Sequence, residues 1–287
     1  MKRAFNFLLY SVFLLSVLVS ACKSGGSEGS KIDPKKSNEH YLLAIEFAQY
    51  SLFQNSLDEF DLAIKYNPSD WKPYNKKGLI YFGTKNYTMA KEMFQKAAEI
   101  NMSSTQILIN LGMVEYMEGN KSSALSLWEK SVNLDLNDND GKAFNNIGNI
   151  HKEEGELDKA IEYYEKAVSQ ERATLYINNL ADVLRLVGRV DEAEKNLLES
   201  IKQDPKALLV HFNLAQVYKG QNKLDQALAS YTKSLEVNPE FLEPYFESAQ
   251  IYMTLSDKES AKTQLEKAIE LGVSDPKFKE LLDEIAA

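Results

Sequence analysis

Asparagine recurs through the middle of the chain at nearly regular intervals, at Asn110, Asn146, Asn179 and Asn213. Two of these are preceded directly by a second asparagine, Asn145 and Asn178. A primary amide both donates and accepts hydrogen bonds. One such amide can therefore pair with the N–H and the C=O of one residue in an extended polypeptide. A row of these amides would bind peptide backbone and tolerate many side-chain sequences.

Other polar residues keep the same spacing. Three residues after the last three of these asparagines come Asn149, Asp182 and Gln216. Three residues further on come the basic residues Lys152, Arg185 and Lys219. We take both sets, with the asparagines, as candidate peptide-binding residues. The alternative is that the asparagines bridge neighbouring helices or contact only water.

The sequence contains none of the motifs that would indicate catalysis. It has no glycine-rich phosphate loop, no GxSxG and no HExxH. Its three histidines, His40, His151 and His211, are far apart, and its single cysteine excludes a Cys/His metal cluster and an internal disulfide. We therefore expect no enzymatic activity, no metal and no cofactor.

One polar run resembles a calcium-binding loop only weakly. Asp135, Asn137 and Asn139 alternate as loop ligands do, but Asp140 stands where that loop needs glycine. Asn146 also replaces the bidentate glutamate. We interpret the run as a polar turn between two repeats.

The elements that position these residues come from a repeat of 34 residues that starts at residue 37. Units begin near Ser37, Trp71, Thr105, Gly141, Thr174, Leu208 and Leu242. Three positions in every unit carry only Ala, Gly or Ser. Position 8 has Ala44, Gly78, Gly112, Gly148, Ala181, Ala215 and Ala249; position 20 has Ser56, Ala90, Ala124, Ala160, Ala193, Ala227 and Ala261; position 27 has Ala63, Ala97, Ser131, Ala167, Ser200, Ser234 and Ala268.

Position 24 is large and apolar in every unit, with Phe60, Phe94, Trp128, Tyr164, Leu197, Tyr231 and Leu265. Close packing of helices needs small residues where backbones approach and large ones that fill the remaining space. This alternation at a fixed period indicates tandem helical hairpins.

These positions resemble the tetratricopeptide repeat family over residues 37–275. The resemblance implies an all-α, right-handed superhelical solenoid of seven helix-turn-helix repeats. A capping helix is predicted over residues 276–287, where Pro276 follows the caps Ser274 and Asp275 and Phe278 begins an apolar face.

In this family the first helix of each unit, helix A, lines the concave groove. The resemblance therefore places the asparagines and the polar residues that share their spacing in one groove, similar to the asparagine ladder of members that hold extended polypeptides. Apolar side chains at the ends of the groove could anchor a partner's side chains. They are Ile45, Leu79, Phe82, Met113 and Tyr116 at one end, and Phe212, Phe246 and Met253 at the other.

The N-terminus has the organisation of a secretory signal. Lys2 and Arg3 precede an apolar stretch that is short for a transmembrane helix. Residues 18–22, LVSAC, resemble the lipobox of bacterial lipoproteins, which implies a signal peptide over 1–21, acylation of Cys22, and a tether over 22–36. Several acyl chains give stable membrane anchoring. The alternative is an ordinary secretory signal with a chance cysteine.

The chain is acidic, with a formal net charge of −9, and so lacks the basic footprint of a nucleic-acid binder. We expect a lipid-anchored scaffold of the bacterial cell envelope that binds other proteins or peptides, at the outer membrane facing the periplasm or exposed at the surface. Two alternatives are a self-associating structural lipoprotein, such as a homodimer, and a surface-displayed binding protein.

Overall fold

A computed structural model describes residues 32–134 and 141–286. Within these ranges the chain forms helices joined by short turns, and no β-strand occurs. The predicted signal peptide, Cys22, most of the tether and the run from Asp135 to Asp140 lie outside the described residues. None of the helices found in the described ranges is long and apolar enough to cross a membrane.

The helices fall into two compact units, one up to Ile80 and one from Tyr81 onward. The first holds α1 (Pro34–Gln49), α2 (Phe53–Tyr66) and most of α3 (Trp71–Gly83). The second holds α4 (Tyr87–Ile100), α5 (Thr105–Met117), α6 (Lys121–Leu134), α7 (Lys142–Glu153), α8 (Leu157–Gln170), α9 (Thr174–Leu186), α10 (Val190–Gln203), α11 (Leu208–Gly220), α12 (Leu224–Val237), α13 (Glu243–Thr254), α14 (Lys258–Glu270) and α15 (Pro276–Ala286).

Successive helices pack as hairpins, as the repeat predicts. In the first unit α1 packs on α2; in the second α5 packs on α6, and the same pairing continues to α13 on α14. Each of the hairpins in the second unit also contacts the next, and the A helices α7, α9 and α11 touch directly. The all-α repeat fold expected from the sequence is confirmed.

The first helix begins earlier than the predicted repeat boundary. It starts at Pro34, three residues before Ser37, so the end of the predicted tether belongs to the helix. The Asp33 side chain accepts a hydrogen bond from the backbone N–H of Lys36 at 3.1 Å. Proline at the first helical position loses no hydrogen bond, because that N–H has no partner within a helix.

The small residues at positions 8, 20 and 27 are buried in every repeat. The large residue at position 24 is also buried, at most 2% exposed. In the fourth repeat a Cβ on Gly148 would lie 2.7 Å from the ring of Tyr164. The small positions are therefore small because the large side chain of the same repeat fills the space beside them.

Position 15, in the turn inside each hairpin, adopts a left-handed backbone in all seven repeats. Its φ lies between 59° and 86° at Ser51, Lys85, Gly119, Gly155, Gly188, Asn222 and Ser256. Only three of these are glycine, the residue that favours this region. The requirement is therefore set by the hairpin, and the residue type alone did not reveal it.

The C-terminal helix α15 covers the last hairpin. Its first turn is capped by Asp275, which accepts from the N–H of Lys277 at 3.1 Å. Phe278 is 2% exposed, and its ring centroid lies 5.1 Å from that of Phe246. The predicted capping helix is present and buries an apolar end that would otherwise face water.

Candidate functional site

The predicted asparagines at position 6 form a row on successive A helices of the second unit. We call Asn110 on α5, Asn146 on α7, Asn179 on α9 and Asn213 on α11 the asparagine row. Each is partly exposed. Since α7, α9 and α11 touch, the last three amides belong to one continuous surface.

The position 5 asparagines lie behind this row. Asn145 and Asn178 are buried, at 4% and 5% exposure. Asn179 Nδ2 donates to Asn145 Oδ1 at 2.8 Å. Asn213 Nδ2 donates to Asn178 Oδ1 at 3.2 Å, so the same bond recurs one repeat later. The amides therefore bridge neighbouring helices, and the buried member of each pair orients the exposed one.

This arrangement leaves hydrogen-bonding capacity on the exposed amides. Each bridging amide uses one N–H, while its second N–H and its carbonyl oxygen take part in no other described bond. No hydrogen bond joins the Asn146 amide to another side chain of the described residues. An oriented amide with a free donor and a free acceptor is the group that a peptide unit requires.

The position 9 residues lie next to the row and are partly exposed. Asn149 Oδ1 accepts from the Tyr164 hydroxyl at 2.7 Å. Burial raises the pKa of Tyr164, so its hydroxyl stays protonated and remains a donor. This bond fixes which end of the Asn149 amide is engaged and leaves its Nδ2 as the end that can donate outward.

The basic residues at position 12 are not free cations. Lys152 and Arg185 both bond to Asp182, with Nζ–Oδ2 at 2.6 Å and NH2–Oδ1 at 2.8 Å. Burial alone would raise the pKa of the Asp182 carboxyl, but its hydrogen bonds to Lys152 and Arg185 outweigh this and lower it. The Lys152–Asp182 pair therefore joins α7 to α9, while Arg185 and Asp182 pair within α9, and both cations share one carboxylate.

Lys219 repeats the pattern one unit later. Its Nζ lies 2.6 Å from Glu247 Oε2 and 2.8 Å from Gln250 Oε1. Sequence reasoning missed Glu247 and Gln250, although they occupy positions 6 and 9 of the seventh repeat. Reading those positions through every repeat would have found them.

An apolar cavity of about 140 Å³ lies at the α5 and α7 end of the second unit. It is lined by Phe82, Met113, Tyr116, Met117, Trp128, Asn146 and Asn149. The structure thus brings together three apolar residues that the sequence predicted for this end of the groove. Met117 was missed because it lies at the end of its helix, and Trp128 because it belongs to the second helix of its hairpin, helix B.

The apolar residues predicted at the other end are used in packing. Phe212 lies 5.7 Å from Tyr231 and 5.1 Å from Phe241, measured between ring centroids. Phe246 packs against Phe278 of the capping helix, and Met253 packs against the same apolar cluster. These three side chains therefore contribute to packing at that end of the second unit.

One side-chain cluster has the composition of a metal site. Candidate ligand atoms of His151, Glu154 and Glu156 lie within 4.8 Å of one another. His151 Nδ1 and Glu156 Oε2 are hydrogen-bonded at 2.7 Å, and Lys159 Nζ lies 2.9 Å from the same carboxylate oxygen. These bonds account for the arrangement without an ion.

Three tetratricopeptide repeat profiles match the chain, one over residues 171–240, one over 141–172 and one over 72–101 and 242–271. These stretches cover more than half of the chain, and the chain belongs to the tetratricopeptide repeat family. This fold builds protein–protein interaction scaffolds.

Two curated relatives come from yeasts. The chain is 25% identical over 144 residues to heat shock protein STI1 of Saccharomyces cerevisiae, covering 46% of this chain and 24% of that protein. It is 25% identical over 186 residues to anaphase-promoting complex subunit 3 of Schizosaccharomyces pombe, covering 64% and 28%. The chain spans about a quarter of the length of these relatives.

Solved structures share the fold at low identity. PilF of Pseudomonas aeruginosa aligns with a TM-score of 0.64 and 18% identity, covering 76% of this chain and 98% of that one. The Cut9–Hcn1 assembly aligns at 0.67 and 16%, covering 88% and 46%. YrrB, described as a tetratricopeptide repeat protein with an unusual peptide-binding site, aligns at 0.54 and 21%, covering 69% and 100%.

Proposed function

We propose that this protein is a lipid-anchored scaffold of the bacterial cell envelope that holds an extended polypeptide segment against the asparagine row. The observation that carries the proposal is the oriented amide repeated on α7, α9 and α11. Each exposed amide offers a donor and an acceptor, and two of the three are held in place by a buried asparagine of the preceding repeat.

The side chains around the asparagine row favour binding of a partner's peptide backbone over binding of its charged side chains. Asp182 pairs with both Lys152 and Arg185, and Glu247 pairs with Lys219. A partner that depended on its charged side chains would have to break these pairs. A partner that is bound through its peptide groups needs only the free donor and acceptor atoms of the asparagine side chains. The peptide-binding site described for YrrB, a protein of this fold, agrees with a binding role.

Membrane attachment is the second part of the proposal and depends on the lipobox-like residues 18–22. Acylated Cys22 would hold the protein at the membrane, outer or inner, and the residues up to Asp33 would connect it to α1. The protein is proposed to catalyse no reaction and to bring a partner segment to the membrane surface.

Crosslinking in the native cell, followed by identification of the captured proteins and crosslinked segments, tests the binding proposal. Asn146, Asn179 and Asn213 are changed together to Ala. Three lost hydrogen bonds of about 1 kcal/mol each sum to about 3 kcal/mol and predict a loss of binding of about a hundredfold. A matched variant changes the exposed B-helix residues Asn133, Gln170 and Gln203 to Ala and should capture the same segments as the parent.

Thermal unfolding of both variants separates lost binding from lost structure, because Asn179 and Asn213 also bridge helices. Capture of the same segments by the folded row variant and the parent would refute the proposal. Attachment is tested separately with Cys22→Ser, which should move the protein from the membrane fraction to the soluble fraction and remove its labelling by a fatty-acid probe.

A further inference from the structure

We infer that the partner segment carries one large, uncharged, apolar side chain, which enters the cavity beside Asn146. The inference rests on the proposed function, since it names the chemistry of the segment that the asparagine row would hold. The cavity and the row share Asn146, so one ligand can occupy both.

The floor of the cavity is a buried tryptophan. Trp128 is 2% exposed, and its Nε1 donates to the carbonyl oxygen of Ile109 at 3.0 Å. With its only polar group engaged, the indole presents an apolar ring to the cavity. A polar side chain placed against this ring would lose its water there, and the only polar groups lining the cavity besides the Tyr116 hydroxyl and this engaged indole N–H are the Asn146 and Asn149 amides.

One wall of the cavity, Tyr116, is held in place by a hydrogen bond to an ion-paired carboxylate. The Tyr116 ring lies 6.0 Å from Trp128, and its hydroxyl donates to Glu153. Glu153 is also paired with Lys121 at 2.6 Å. The hydrogen bond to Glu153 raises the pKa of Tyr116 to about 12, so this wall carries no charge at neutral pH.

The electrostatics of the cavity favour a neutral occupant. No charged residue lines it. Lys152 is paired with Asp182, and Glu153 with Lys121. An ammonium or carboxylate that entered would lose its hydration and meet no charged side chain in the lining, whereas an apolar side chain would gain by leaving water.

The volume matches one large side chain. An apolar cavity of about 150 Å³ holds a benzene ring, and this one measures about 140 Å³. Leucine, methionine or phenylalanine is therefore of the right size, while alanine or serine would leave most of the space empty.

Asn146 connects the cavity to the asparagine row. A side chain in the cavity brings its own peptide groups next to Asn146, whose amide has no side-chain partner among the described residues. Packed helices lie about 8–10 Å apart, and an extended chain advances about 3.3 Å per residue. After the anchor, about every third residue would therefore meet Asn179 and then Asn213.

Nuclear magnetic resonance of the folded chain with labelled methionine methyl groups tests this inference. The chain has seven methionines. Met113 and Met117 line the cavity, while Met93 is buried elsewhere and serves as the internal control. The probe is an acetylated ten-residue peptide of alternating Gly and Ser with one Leu at its fourth position. Matched peptides carry Ser or Glu in place of that Leu.

The Leu peptide should shift the methyl signals of Met113 and Met117, leave that of Met93 unchanged, and bind at least tenfold more tightly than the Ser or Glu peptide. Met113→Glu should abolish this preference. Met113→Ala should weaken the preference for the Leu peptide. Because alanine cannot crowd the cavity, this variant still tests the inference if Met113→Glu unfolds.

The side-chain amide signals of Asn146, Asn179 and Asn213, followed in the same titrations, separate the two proposals. If all three peptides shift these amides equally and the methionine signals stay still, the cavity inference is wrong and the backbone-binding proposal stands. If no peptide shifts either set, the result counts against both.

Discussion

Gly112 lies against Trp128 so closely that a Cβ placed on it would be 2.3 Å from Nε1 and 2.7 Å from Cδ1 of the indole. The two residues occupy positions 8 and 24 of the third repeat. In the repeats where position 24 is Leu197 or Leu265, position 8 is alanine. Alanine also occupies position 8 beside Phe60 and Tyr231, so it is the indole of Trp128 in this repeat, and not size at position 24 in general, that excludes a Cβ at Gly112.

Gly112→Ala is expected to destabilise the protein by about 1–3 kcal/mol, the usual cost of overpacking, despite the better helix propensity of alanine. Trp128→Leu in the same chain should recover part of this loss, because it recreates the Ala and Leu combination of other repeats. Denaturant unfolding of the two single variants and the double variant gives the coupling energy. Strictly additive effects would show that the two side chains do not compete for space.

The Asn145–Asn179 bond predicts coupling between two residues that are 34 positions apart. Each single change to Ala should lower stability, and the double-mutant cycle should yield about 0.5–1.5 kcal/mol, the usual net value of one hydrogen bond. Asn146→Ala serves as the matched control and should change stability by less than about 0.5 kcal/mol. A coupling energy near zero would argue against the bridge.

The left-handed turn at position 15 predicts opposite effects for glycine at two sites. Lys85→Gly should stabilise by about 1 kcal/mol, because it removes the left-handed penalty of a side chain. Gly155→Ala should destabilise by about 1–2 kcal/mol. No atom lies within 4 Å of a Cβ at Gly155, so only the backbone is affected.

Gly83→Ala is the control for that pair, since its Cβ would also meet nothing within 4 Å but its backbone is helical. Alanine should stabilise there by about 0.5–1 kcal/mol. Thermal unfolding measures all three. A destabilised Lys85→Gly variant would contradict the interpretation.

The Asp182 carboxylate predicts loss of stability in acid. Its pKa in the folded protein lies below the ordinary value of 3.8, so unfolding takes up protons as the pH falls through this range. The stabilisation that the Asp182 carboxylate contributes to the folded protein is therefore complete well above about pH 4. It is lost as the pH drops through the folded-state pKa of this group. The Asp182→Asn variant should lack this acid-dependent contribution. The difference in free energy of unfolding between the parent and the variant should therefore become smaller below about pH 4.

Urea midpoints measured from about pH 7 to about pH 3 test this dependence. Asp225→Asn, a change at an exposed residue, is the matched control and should follow the parent curve. A constant gap between parent and Asp182→Asn across the whole range would show that Lys152 and Arg185 do not stabilise the carboxylate.

The sequence by itself determined the hairpin repeat, because close helix packing restricts side-chain volume at fixed points of each 34-residue unit. Ala90, Phe94 and Ala97 already show that restriction within a single helix. The capping helix also follows from local signals, since Pro276 begins a helix and Phe278 needs an apolar neighbour. The same repeat period places the asparagines of position 6 on successive A helices.

Only the tertiary structure decided what those polar residues contact. Asn179 bonds to Asn145, and Lys152 to Asp182, across 34 and 30 residues. The offset between neighbouring A helices and the rotamers of the side chains select these partners, and neither is encoded in a repeat position. The cavity over Trp128 likewise depends on how α5, α6 and α7 meet. The spacing along the chain therefore sets which residues share a surface, while the packing of one helix on the next decides which amides remain free to bind.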